Sequence, residues 1–275
     1  MSVRARLLAA WCLGGLTCGG LMCGGLPAEA SESVFHIFTP SVEAGAWGVE
    51  ALSAFSTGLA ASDEHAALRA AHELAIHTGV NDFWMAKLAL GFEKPSGDEY
   101  AITSIALENV FRFNRAHAGA FDAAWFTAIS AGIDDDASNA IEFGPVVSMS
   151  EGPVSLVLNP FLEKTFGDNR EPGIAFSYGW RATYRIADTF SIGLEGYGAI
   201  EDIAHHSAFE EQIHRMGPVL YLGHVHGDAH GIHGAAHDAH GHDDEPEWHG
   251  EIGVLFGLTD ATDDATIKFN AGADF

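Results

Sequence analysis

Past residue 30 the sequence has no cysteine: Cys12, Cys18 and Cys23, the three in the 275-residue chain, all precede it. A chain that is thiol-free from there on can build neither disulfides nor thiolate metal centres. Long apolar runs are also lacking. Beyond the N-terminal stretch nothing reaches the roughly 20 apolar residues that a membrane-crossing helix needs. Cations are scarce, with 13 Lys+Arg against 38 Asp+Glu and a formal net charge of -25. Such a balance excludes nucleic acid as a partner, because that would demand a basic surface. The acidity needs no ligand to explain it, since high net charge keeps proteins soluble. No catalytic constellation stands out. His205-His206-Ser207 lacks a matching Asp or Asn pattern, so the chain is not expected to be an enzyme.

What is present begins with a processing segment. Arg4 and Arg6 supply a basic start, Leu7 to Leu26 is apolar and Gly-rich, and Ala28-Glu29-Ala30 fits a small-x-small cleavage site. Residues 1–30 are therefore expected to be a signal peptide that is removed on export, taking every cysteine with it. Residues 31–275 are expected to form one domain in the Gram-negative envelope, opened by a short periplasmic lead-in over 31–45.

The rest of the chain alternates. In the run 84–93, Trp84, Ala86, Leu88, Leu90 and Phe92 oppose Met85, Lys87, Ala89, Gly91 and Glu93. In 176–186, Phe176, Tyr178, Trp180, Ala182, Tyr184 and Ile186 oppose Ser177, Gly179, Arg181, Thr183 and Arg185. A period of two marks strands with one apolar and one polar face. Turn residues divide the chain into runs at 46–57, 67–79, 82–93, 99–113, 121–131, 139–149, 153–165, 173–186, 189–200, 212–222, 248–258 and 264–275. The last of these ends Ile267, Phe269, Ala271, Ala273, Phe275 on one face, and it resembles the closing strand of a bacterial outer-membrane barrel. Twelve strands is an even count, as single-chain bacterial barrels have. Lipid offers no water to open strand edges, so the strands must close on themselves with the apolar face outward. The expected fold is all-β: an antiparallel transmembrane β-barrel of about twelve strands, in contact with outer-membrane lipid.

Two belts of rings fit this reading. Trp47, Phe83, Trp84, Phe121, Trp125, Phe190 and Trp248 begin odd strands, and Phe113, Tyr184, Tyr221 and Phe275 end even ones. All of these would lie at the periplasmic surface. Phe55, Phe92, Tyr100, Phe166 and Phe176 would lie at the outer surface. The polar faces then line the lumen. Arg69, Glu73, Lys87, Glu108, Arg112, Arg181, Arg185, Glu195, Arg215 and Lys268 are its candidate functional residues, with Glu50, His77, Glu93, Asp122, Glu142 and Glu251 beside them. Mixed signs in a narrow cylinder give either a salt-bridged filling or a constriction that selects by charge and width. Pro145 and Pro218 lack an amide donor and mark breaks in the ladder.

One connection, 223–247, stands apart. His224, His226, His230, His233, His237, His240 and His242 fall in it, and His249 follows. Neutral imidazoles spaced by Gly and Ala could take up Zn²⁺, Cu²⁺ or Ni²⁺, although no cofactor is required; a solvated linker has the same composition. By strand parity this connection faces the periplasm.

The runs Gly-Val-Asn-Asp-Phe-Trp-Met-Ala-Lys-Leu (79–88), Ile-Ala-Leu-Glu-Asn-Val-Phe-Arg-Phe (105–113), Gly-Leu-Glu-Gly-Tyr-Gly (193–198), Met-Gly-Pro-Val-Leu-Tyr (216–221) and Phe-Gly-Leu-Thr-Asp-Ala-Thr-Asp-Asp-Ala-Thr-Ile-Lys (256–268) resemble outer-membrane transporter barrels grouped with a phenol-degradation pathway channel. That resemblance implies passage of a small solute; the His-rich insertion departs from it. The expected function is passive transport of a small solute through a polar lumen. An envelope metal-handling role for the His-rich connection is the alternative, and a structural barrel with a plugged lumen is a third.

Overall fold

Two-faced strands in lipid have one way to satisfy every backbone group, and the chain adopts it. The structure, a computed structural model, describes residues 34–57, 69–94, 99–113, 120–133, 137–223 and 246–275. The expected signal peptide and all seven histidines of the 223–247 connection lie outside the described residues. The twelve strands are β1 (Trp47–Thr57), β2 (Arg69–Asn81), β3 (Trp84–Lys94), β4 (Ala101–Arg112), β5 (Phe121–Gly132), β6 (Asn139–Glu151), β7 (Val154–Phe166), β8 (Ala175–Ala187), β9 (Phe190–Ile200), β10 (Ile213–Gly223), β11 (Glu247–Gly257) and β12 (Ala265–Asp274). Each pairs antiparallel with its neighbours, and β1 pairs with β12 to close the barrel. A single 3-10 turn, Phe209–Glu211, lies in the connection before β10.

The closing seam is fixed at the periplasmic rim. Phe275 donates its amide to the Trp47 carbonyl at 2.8 Å, Trp47 returns the bond at 3.3 Å, and their rings stack with centroids 4.3 Å apart. Residues Asp82-Phe83, Gly152-Pro153 and Asp188-Thr189 turn the chain tightly at this same end.

Exposure follows the pleat. Leu74, Ile76, Leu88, Ile129, Leu194 and Ile252 face outward, Leu74 at 54% exposure, while Lys268 and Glu195 inside are at 0%. This reverses the soluble arrangement and is what hydrocarbon outside the cylinder requires.

Prolines break the ladder where an amide is missing. Between β6 and β7 the register skips from Phe143↔Leu162 to Val147↔Leu158, across Pro145 and the unforeseen Pro160. Between β10 and β11 it skips from Met216↔Phe256 to Val219↔Gly253, across Pro218. Glycine is required beside each: a Cβ on Gly144 would meet the Pro160 carbonyl oxygen, and one on Gly217 the Val254 carbonyl oxygen.

Two expectations are corrected. Tyr221 does not belong to the periplasmic ring belt: it points inward, buried, while Leu220 and Leu222 take the exterior. The sequence Val219-Leu220-Tyr221-Leu222 is apolar throughout, so alternation could not assign its faces. The described part of the expected periplasmic lead-in instead runs inside the barrel. Val34, Phe35, Ile37 and Phe38 are buried there, and only its end returns to the periplasmic rim, where Gly45 donates to the Gly79 carbonyl at 2.8 Å. Adjacent Ile37 and Phe38 are both apolar, a pattern suited to a segment covered on all sides and poorly suited to water.

A lipid-facing charge near mid-membrane should be costly. Leu194→Arg is expected to lower folding stability by about 2–4 kcal/mol, and Val154→Arg at the periplasmic rim by about 0–1 kcal/mol, in urea titrations of liposome-folded protein.

The plugged lumen as candidate functional site

Inward positions on adjacent strands bring the lumenal charges together. Lys87 on β3 is the centre of the periplasmic half. Its Nζ lies 3.1 Å from Glu50 on β1, 2.9 Å from Glu73 on β2 and 3.3 Å from Glu108 on β4. The register sets this: Lys87 lies opposite Glu108 on one side and His77 on the other. Nearer the rim, His77 lies 2.9 Å from Asp274 and 3.7 Å from Glu50, and His249 lies 3.4 Å from Asp274. Gly48 and Gly272 lack the side chains that would fill the space these imidazoles use.

A second centre forms around Lys268 on β12. Its Nζ donates to Glu195 at 2.6 Å and lies 2.7 Å from Glu251, with the Tyr197 hydroxyl at 3.2 Å. Tyr221 donates to the other Glu195 oxygen at 2.8 Å, and the Arg181 guanidinium sits over the Tyr221 ring at 5.4 Å. Asn270 donates to Glu251. Buried charges persist only when paired and hydrogen-bonded in this way. At the outer mouth Arg69 and Arg215 both reach Asp263, whose connection dips into the opening. Near the periplasmic end Arg112 pairs with Asp122 at 3.3 Å. Arg185 is separate from these groups, donating to the Gly152 carbonyl at the rim.

The lead-in segment threads between the two lysine centres. The Phe35 carbonyl accepts from Lys268 at 2.7 Å and lies 2.8 Å from the Tyr197 hydroxyl, while Arg215 covers the Phe35 ring at 4.6 Å. Lys87 donates to His36 Nδ1 at 3.1 Å. Asn159 on β7 holds Phe38 twice, accepting its amide at 2.7 Å and donating to its carbonyl at 3.0 Å. The Phe38 ring packs on Phe126 and Phe161, with centroids 4.3 and 6.1 Å away. Phe35 has φ 56°, in the left-handed region. That conformation costs a non-glycine residue about 1–3 kcal/mol and persists only where its surroundings fix it, here through the carbonyl contacts.

All ten candidate lumen residues lie on inward positions, although Arg69 and Arg185 are at the two rims. Sequence reasoning missed His36, Asn159, Glu163, Asp263 and Asp274. Parity would have given Asn159 and Glu163, since both alternate with Leu158 and Leu162 in β7. Of the metal candidates only His249 is described. Among the described residues no group of three or more His, Cys, Asp or Glu side chains is arranged to hold a metal ion. His205 pairs with Asp202 at 2.9 Å in an exposed connection.

No family model matches the chain, and no curated protein matches it in sequence. Solved structures do. The barrel is similar to the NanC porin in a rhombohedral crystal form, with TM-score 0.51 and 10% identity over 82% of this chain and 98% of that one. It is equally similar to the COG4313 outer membrane channel from Pseudomonas putida F1, with TM-score 0.51 and 11% identity over 86% and 97%. The fold is that of an outer-membrane β-barrel. The likeness is one of fold, and the expected resemblance to channel barrels holds at that level.

Removing the cation from the second centre should leave two buried carboxylates facing each other. Lys268→Met is expected to cost about 3–5 kcal/mol of folding stability. Arg185→Met, at the rim, should stay within about 0.5 kcal/mol in the same urea titration.

Proposed function

We propose that the barrel is a conduit for a small solute across the outer membrane, closed in the described conformation by residues 34–46. The observation that carries this is how the plug is held. The backbone of 35–38 belongs to no ladder of the wall; side chains of Lys268, Tyr197 and Asn159 grip it through two carbonyls and one amide. Every strand of the cylinder is paired without it, so the wall remains closed if the segment leaves. Burial of a Phe or Ile side chain contributes about 1.5–3 kcal/mol. Fixing each residue's backbone costs about 1–2 kcal/mol. A segment whose apolar residues are interrupted by His36 is thus held by a small net free energy, as a removable plug must be.

Two of the structures that share the fold carry the words porin and channel in their names, which agrees with a conduit. A metal-handling role rests on the composition of 223–247 alone and gains nothing further from the described lumen. A barrel permanently filled is the remaining reading, and the same experiment separates it.

In planar bilayers the full processed chain should show low, intermittent conductance, and a chain lacking residues 31–42 should conduct several-fold more. Cysteines placed at Phe38 and Asn159 and joined by a short crosslinker should hold conductance at the closed level until the link is cleaved. A plug-deleted barrel that folds and carries no current would mean a structural role instead.

A further inference from the structure

The sign of the lumen is uneven along its length. In the periplasmic half the Lys87 ammonium faces the carboxylates of Glu50, Glu73 and Glu108, Asp274 lies just beyond, and Arg112 pairs with Asp122 while Arg185 sits at the rim. At the middle level Lys268 and Arg181 face Glu195 and Glu251, with Arg181 opposite Glu195 in the register, so the signs there balance. On the outer half of the β6–β7 wall, Glu142 and Glu163 lie directly opposite each other in the register, both inward and buried, with Ser177 donating to Glu142 at 3.2 Å. At the outer mouth the balance is reversed, with Arg69 and Arg215 sharing Asp263. The outer connections around that mouth expose Asp168, Glu201, Glu210 and Glu211. Lys164 near the end of β7 and Arg170 in the connection after it are turned onto backbone carbonyls.

Departure of the plug does not restore balance. Lys87 would lose the neutral His36 ring nitrogen and Lys268 the Phe35 carbonyl, and neither loses or gains a charged partner. We propose that the open conduit passes small cations, inorganic monovalent ions and protonated amines, in preference to anions. This deepens the conduit reading and rests on it. Carboxylates in excess along low-dielectric walls raise the local concentration of counter-ions. Conduction further requires that a passing ion be attracted without being trapped. Lys87 serves that second need: its ammonium occupies the point on which the three carboxylates converge, so the cluster acts on a passing cation as a field and does not ligate it.

The test uses the chain lacking residues 31–42 in planar bilayers under a KCl gradient. Reversal should fall on the potassium side, with a K⁺ over Cl⁻ permeability ratio of about 10-fold, the low end of what like-signed clefts do to counter-ion concentration. Glu73→Gln with Glu108→Gln should move the ratio toward unity. Folding of that variant is read from heat-modifiable migration. Glu142→Gln with Glu163→Gln, which replaces two facing acids by amides, provides an independent second variant with the same expected direction. A ratio at or below unity in the open barrel overturns the cation preference and leaves the conduit intact. So does a ratio that neither double variant changes. Absence of any current from the folded, plug-deleted barrel overturns the conduit reading itself.

Discussion

The structure depends on one constraint: a backbone amide or carbonyl in hydrocarbon has no partner except another strand. From it follow the closed circuit of twelve strands, the pairing of β1 with β12, and the apolar exterior. Even its exceptions show its force. Where Pro145, Pro160 and Pro218 remove donors, the ladder is interrupted, and Gly144 and Gly217 let the neighbouring backbone come close.

Turning the apolar face outward leaves the opposite problem inside. Charges that a soluble protein would leave in water are carried on twelve inward faces around a narrow space. They cluster by strand register: Glu50, Glu73, Lys87 and Glu108 come from four consecutive strands, and Glu195, Glu251 and Lys268 from three of the last four. The same clusters hold the lead-in segment. Lys87 and Lys268 each satisfy carboxylates of the wall and one acceptor of residues 35–36, so stability of the wall and closure of the lumen draw on the same side chains.

Much of the wall was legible in the sequence, because alternation is a local signal and lipid enforces it without exception. Lys87 between Ala86 and Leu88, or Lys268 between Ile267 and Phe269, can point only one way. Strand boundaries also came within a few residues, since tight turns such as Gly152-Pro153 announce themselves. Legibility failed where a segment has no period or where both faces are apolar. Tyr221 sits among Val219, Leu220 and Leu222, and hydrophobicity alone could not place it. The plug was hidden for a different reason. Val34-Phe35-His36-Ile37-Phe38 obtains its partners from β3, β5, β7, β9, β10 and β12, contacts that no pattern within five residues can encode. Asp263 was hidden likewise, as a turn residue whose role appears only when Arg69 and Arg215 converge on it from distant strands.

The location of that plug has a consequence for biogenesis. Its seat is assembled from side chains contributed by strands made long after it, and the last of them, Lys268, comes from the strand that completes the circle. The segment thus precedes the whole barrel in the chain, yet its seat is complete only when the circle is closed.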